Sequence, residues 1–108
     1  MAKLKKQLII KLERLPDITV DRYKETELLG VNYKGKEVAH FQTGAGIDCE
    51  LDIRLTPAVI KKEKLTVPAE STSHPDRSKN SRWIIQRYSS STDLDKMVTL
   101  VKLAVTLR

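Results

Sequence analysis

The chain has 108 residues, 40% of them hydrophobic and 31% charged, with a formal net charge of +6. A domain of this length buries roughly 65% of the surface its unfolded chain exposes, enough for one hydrophobic core. The composition excludes a disordered chain, a collagen-like chain and a disulfide scaffold, and no apolar run approaches the roughly 18 residues that a membrane span needs.

Residues 1–15 carry five basic side chains and one acidic, against five basic and eight acidic in residues 16–60. Such basic flanks suit either nucleic-acid binding or a plain solvated surface. The spacing of Leu4, Leu8, Leu12 and Leu15 predicts a helix over residues 3–15. Lys11, Glu13 and Arg14 interrupt its apolar start, and no small-residue cleavage site follows, so it reads as structure and not as a targeting segment. Pro16 ends it, because the residue before a proline is pushed out of the helical region.

Residues 18–23 alternate apolar and polar, the pattern of a half-buried strand. Strands are also predicted over 27–33, 37–43 and 47–55. A two-residue turn at Lys34-Gly35 would pair Tyr33 with Lys36 and Leu29 with His40. An odd loop shifts the pairing by one and puts Leu29, Val31, Ala39 and Phe41 on one face. The apolar set decides for the odd loop, with His40 on the opposite face beside Val38 and Gln42. The Thr43-Gly44-Ala45-Gly46 segment reads as a hairpin turn. It lacks the Lys-Ser/Thr of a phosphate loop and joins strand to strand. Cys49, Leu51, Ile53 and Leu55 then point to the core, and Glu50, Asp52 and Arg54 point away. As the only cysteine, Cys49 can form no internal disulfide, which fits a reducing, cytoplasmic location, and its apolar side of the strand makes it a core residue.

Thr56 can cap a short helix over 57–64 that begins with Pro57. Residues 66–81 form a long polar loop with two prolines, and such loops are functional or mobile. Residues 82–88 return as a strand. Thr92 is the expected cap of a last helix, which buries Leu94, Met97, Val98, Val101, Ala104 and Val105. The expectation is one α+β domain: an antiparallel meander of about five strands, with N- and C-terminal helices on one face.

No metal-ligand spacing, nucleophile elbow or dinucleotide fingerprint is present, so neither metal nor cofactor is expected and no catalytic residue is assigned. The notable grouping is the polar sheet face. His40 should face Glu50 or Asp52 with Arg54 nearby. A carboxylate beside a histidine orients it for acid–base work, though solvent-facing cross-strand charge pairs are also ordinary on an exposed sheet face. The long loop is expected to bring His74 and Arg77 toward that face. Arg77, Lys79, Arg82, Trp83, Arg87 and Tyr88 are the basic and aromatic residues that a nucleic-acid surface would use.

Two stretches carry a family resemblance. One is Gly35-Lys36-Glu37-Val38-Ala39-His40, a glycine turn and a strand ending at Leu55-Thr56-Pro57; the other is His74-Pro75, Arg82-Trp83-Ile84-Ile85 and Thr92-Asp93-Leu94. Together they resemble the small bacterial "luciferase domain" family over most of residues 15–106. The resemblance implies a compact α+β fold with a curved antiparallel sheet, and matches Glu37, His40, His74 and Trp83 to the family pattern. Members often carry a second histidine two residues after the first; here Gln42 holds that place. The order of elements is also similar to the YjbR-type proteins, sometimes proposed to bind DNA. Three functions follow as expectations. The first is a non-enzymatic cytosolic binding module for a small polar ligand or protein partner, contacted by Glu37, His40, Glu50, Asp52, Arg54, His74, Arg77 and Trp83. The second is a nucleic-acid-binding protein, and the third a small enzyme with His40 and His74 as acid and base. No association with a membrane is expected.

Overall fold

Leucines repeating on one helical stripe need a surface to cover, and the first helix finds it on a sheet. The computed structural model describes residues 2–22, 29–41, 49–67 and 81–108. Helix α1 (Ala2–Glu13) buries Leu8 and Leu12 completely, with Leu4 and, beyond its end, Leu15 at the margin of the core. After Pro16, Asp17 adopts a φ of 62° and turns the chain into strand β1 (Ile18–Arg22). Aspartate tolerates this left-handed region better than most residues.

Strands β2 (Leu29–Tyr33), β3 (Lys36–Phe41), β4 (Glu50–Arg54) and β5 (Trp83–Arg87) follow. They lie in the order β1-β2-β3-β4-β5, each antiparallel to the next, which is the expected meander. The predicted turn at residues 43–46 lies outside the described residues, as do residues 68–80 of the long loop.

The β2–β3 hairpin corrects one expectation. Lys34 and Gly35 have φ of 49° and 82°, and Tyr33 pairs with Lys36. This is the two-residue turn with two positive φ angles, whose twist suits antiparallel strands. The shift assigned to an odd loop occurs inside the strand: Asn32 pairs with Glu37, but Val31 pairs with Ala39. Val38 is the extra residue of a β-bulge. Leu29, Val31, Ala39 and Phe41 do share a face, as expected, but Val38 does not join His40 on the other; it is fully buried in the core.

Helix α2 (Pro57–Lys62) starts as expected, with Thr56 Oγ1 accepting from the Val59 N–H at 3.3 Å and Pro57 in the first turn. Helix α3 (Ser91–Thr106) starts two residues earlier than a Thr92 cap implies. Ser90 is the cap, its Oγ accepting from the Asp93 N–H at 3.4 Å, while the Asp93 carboxylate accepts from the Ser89 N–H at 2.9 Å. Asp93, three places after the cap serine, thus both donates to the cap and holds the residue before it, and Thr92 lies inside the first turn. Leu94, Met97, Leu100, Val101 and Ala104 form the buried stripe; Leu100 is added, and Val98 and Val105 are only partly buried.

The two long helices pack on each other, α1 also on β1 and α3 on β3 and β4. Their apolar stripes meet Ala39, Phe41, Leu51 and Ile53 in one core, which Cys49 and Leu55 join. The radius of gyration is 12.9 Å, close to the roughly 13 Å of a single 100-residue domain. The molecule is one α+β domain. No helix among the described residues is long and apolar enough to cross a membrane.

Candidate functional site

Alternation along the strands sends a second set of side chains to the sheet face opposite the helices. The register aligns Gly30, His40, Asp52 and Ile85 in one row across β2, β3, β4 and β5. Glu50 and Arg87 form the row on one side, and Arg54 and Trp83 the row on the other.

His40 is the centre of this face. Its Nε2 lies 3.2 Å from Asp52 Oδ2, and its Nδ1 lies 3.8 Å from Glu37 Oε1. The first is a hydrogen-bond distance; the second is an ion-pair distance only. The Trp83 ring lies against the imidazole, with centroids 5.1 Å apart and planes tilted by 42°. The His40 side chain is 18% exposed and that of Asp52 is 0% exposed, so a wholly buried carboxylate fixes a partly open imidazole.

The bulge makes this cluster possible. In an uninterrupted strand, residues three apart point to opposite faces. The extra residue at Val38 cancels one alternation, and Glu37 and His40 meet on the same side. Burial raises the Glu37 carboxyl above its usual pKa; the His40 and Arg108 charges oppose this, and the Asp52 carboxylate adds to it. Arg108 also binds the Glu37 backbone, its Nη2 and Nε donating to the carbonyl oxygen at 2.6 and 3.0 Å.

Of the two carboxylates expected opposite His40, the register selects Asp52. Glu50 belongs to Arg87, whose Nη1 donates to Glu50 Oε2 at 3.0 Å. Arg54 lies beside Trp83 and has its pKa lowered, first by burial and then by the charges of Arg108 and Arg82. His74 and Arg77 lie outside the described residues, as does the expected approach of the loop to His40. The face is also not the solvent-facing charged surface that was expected. Glu50 and Asp52 are fully buried, and Ile85 is 1% exposed although it belongs to no part of the helix-side core. For the nucleic-acid reading, Tyr88 is fully buried, and Arg87 is held by Glu50.

The sequence reading missed Arg108, which comes from 71 residues away and has no local signal. It also missed Arg87 as the partner of Glu50, although both positions alternate onto the same face. Cys49 is 2% exposed in the helix-side core, where a thiol behaves as a small apolar group. Among the described residues no group of three or more His, Cys, Asp or Glu is placed to hold a metal ion. A pocket of about 240 Å³ lined by residues 15–18, Tyr33, Lys102 and Val105 shares no residue with the His40 cluster.

The sequence model of a family described as "Luciferase domain" matches residues 35–104. No curated protein and no solved structure matches the chain. The match begins at the glycine of the β2–β3 turn and runs through β3, β4 and β5 into α3, taking in Glu37, His40, Asp52 and Trp83. The chain belongs to the luciferase-domain family.

Proposed function

We propose that this luciferase-domain protein is a non-enzymatic binding module that takes a small polar ligand at the open edge of His40. The observation that carries the reading is the fixed imidazole: Asp52 at 3.2 Å, Glu37 at 3.8 Å and the Trp83 ring at 5.1 Å hold it from three sides while it stays 18% exposed. A polar group held in place before binding loses little freedom when a ligand arrives, which favours affinity. Trp83 supplies an amphipathic wall beside it. His74, Arg77 and Arg54 complete the ligand's polar surroundings in this reading, and the lone buried cysteine suits a reducing cytoplasm.

The test is a screen of small polar compounds against the full chain, read on the indole N–H signal of Trp83, the only tryptophan. A saturable shift that vanishes in His40→Ala supports the module. Compounds that bind equally well to wild type and His40→Ala overturn it.

The Asp52–His40 contact favours one further reading, proton transfer by His40 with His74 as its partner. A buried carboxylate on one ring nitrogen fixes the tautomer and steadies a proton on the ring. Under that reading Asp52→Asn lowers the turnover of a bound ligand while leaving its affinity unchanged; a ligand recovered chemically intact after prolonged incubation removes it.

A further inference from the structure

We propose that the end of the sheet where β3 begins and β4 ends binds the phosphate group of a small phosphomonoester, clasped by Arg54, Arg82 and Arg108. The proposal names a ligand class for the polar site and rests on that reading. A chain of contacts brings the three arginines to one end of the sheet. Arg54 is the cross-strand partner of Trp83. Arg82 precedes Trp83, and its carbonyl accepts from the Leu55 N–H at 2.7 Å, directly after Arg54. Arg108 grips the Glu37 carbonyl with two N–H groups. Glu37 and Trp83 both lie against His40, and the charges of Arg108 and Arg82 both act on Arg54.

Neither Arg54 nor Arg82 has a carboxylate partner among the described residues, and Arg108 gives two of its N–H groups to a neutral carbonyl, leaving the others for a ligand. Guanidinium groups gathered without an anion repel one another, and the lowered pKa of Arg54 registers that repulsion after burial. Two acids face the cluster. Asp52 lies 3.2 Å and Glu37 3.8 Å from the two ring nitrogens of His40, so both acids face the imidazole. The planar fork of arginine matches phosphate oxygens in pairs. Three positive charges suit the roughly two negative charges of a phosphomonoester at neutral pH better than the single charge of a carboxylate.

The experiment titrates phenyl phosphate, benzoate and a DNA duplex into the full chain, again reading the Trp83 indole. Phenyl phosphate is expected to bind saturably and more tightly than benzoate. Arg54→Ala and Arg82→Ala are each expected to weaken it about tenfold, the scale of one lost charged hydrogen bond, with Arg54→Lys between. Arg82 is exposed, so its variant is expected to melt with the wild type and to report binding alone. Unchanged affinity in both alanine variants overturns the proposal. Equal binding of benzoate overturns the choice of phosphate, and tighter binding of the duplex overturns a small ligand. His40→Gln separates the two readings. Arginine-dependent binding of phenyl phosphate that ignores His40→Gln leaves the phosphate site standing without the histidine module. No binding of phenyl phosphate, with His40-dependent binding of uncharged polar compounds, sinks the phosphate class and leaves the module.

Discussion

Strand β4 reads Glu50, Leu51, Asp52, Ile53, and all four residues are fully buried. Leu51 and Ile53 meet the helices in a hydrocarbon core; Glu50 and Asp52 meet Arg87 and His40 on the other side. One strand therefore separates two kinds of interior. The apolar side gains from removing hydrocarbon from water, at roughly 25 cal/mol per Å². The charged side pays for desolvating its carboxylates and recovers that cost only through well-placed partners. The helix side specifies the fold, and the charged side is where a ligand finds prearranged polar groups.

The two sides should break differently. Leu51→Ala is expected to cost about 2–5 kcal/mol, because the fully packed helices cannot close the space. Urea denaturation measures it, and a loss under about 0.5 kcal/mol would place Leu51 outside the core, since a buried leucine costs several times more. On the charged side, Arg87→Ala removes the 3.0 Å partner of a buried carboxylate. The expected loss is about 3 kcal/mol, the low end for a broken buried pair, because Arg87 is itself 29% exposed and water can reach the gap. The double change Glu50→Leu with Arg87→Leu sharpens the contrast. It should unfold at higher urea than Arg87→Ala alone, since an apolar pair leaves no buried charge behind. A double variant weaker than the single would mean that the ion pair contributes net stability.

The hairpin that aligns the two sides offers a smaller effect. Gly35 has a φ of 82°, and a β-carbon placed there would meet nothing within 4 Å. Gly35→Ala therefore tests backbone strain without a clash, with an expected cost of about 1–2 kcal/mol by thermal or urea unfolding. An unchanged stability would mean that the turn relaxes to another loop.

Much of this arrangement was legible in the residues, for identifiable reasons. The period of two placed Leu51 and Ile53 opposite Asp52, and placed His40 away from Phe41, because each strand has a single apolar choice of face. The bulge was not legible: an extra residue in the loop or in the strand gives the same pairing of Val31 with Ala39. It was nevertheless the decisive detail, since it brings Glu37 to His40 and takes Val38 into the core. The burial of Glu50 and Asp52 was also hidden, because alternation names a side but not what covers it. The helix cap was ambiguous in the sequence: Ser90 has Asp93 three residues on, and Thr92 has Asp95 at the same distance. A capping pair on either serine or threonine looks alike until the hydrophobic stripe fixes where the helix must begin.

Two carboxyls, one on each side of this comparison, should report it through pH, with the smallest and most specific effects. Asp93, at the cap of the helix that covers the apolar side, has its pKa lowered, chiefly by the Ser89 backbone N–H, with hydrogen bonds from Ser89 and Ser90 and the Lys96 charge assisting against some desolvation. A depressed pKa means that folding favours the ionised form. The stability it contributes is present above the ordinary value of 3.8 and is lost as pH falls through the lower, folded value. Glu37, on the charged side, has the opposite sign. Burial raises its pKa above 4.5, so folding favours the protonated form, and its contribution is complete below 4.5 and lost as pH rises through the higher, folded value. Glu37→Gln cannot ionise, so relative to wild type it should gain stability as pH rises through that window and stay level above it. Asp93→Asn should lose stability relative to wild type at neutral pH and approach it as the pH falls below 3.8. Urea midpoints for the three proteins from low pH to neutrality provide the check. Two variants drifting in the same direction would mean that Glu37 is held by its positive neighbours, His40 and Arg108, and not by burial.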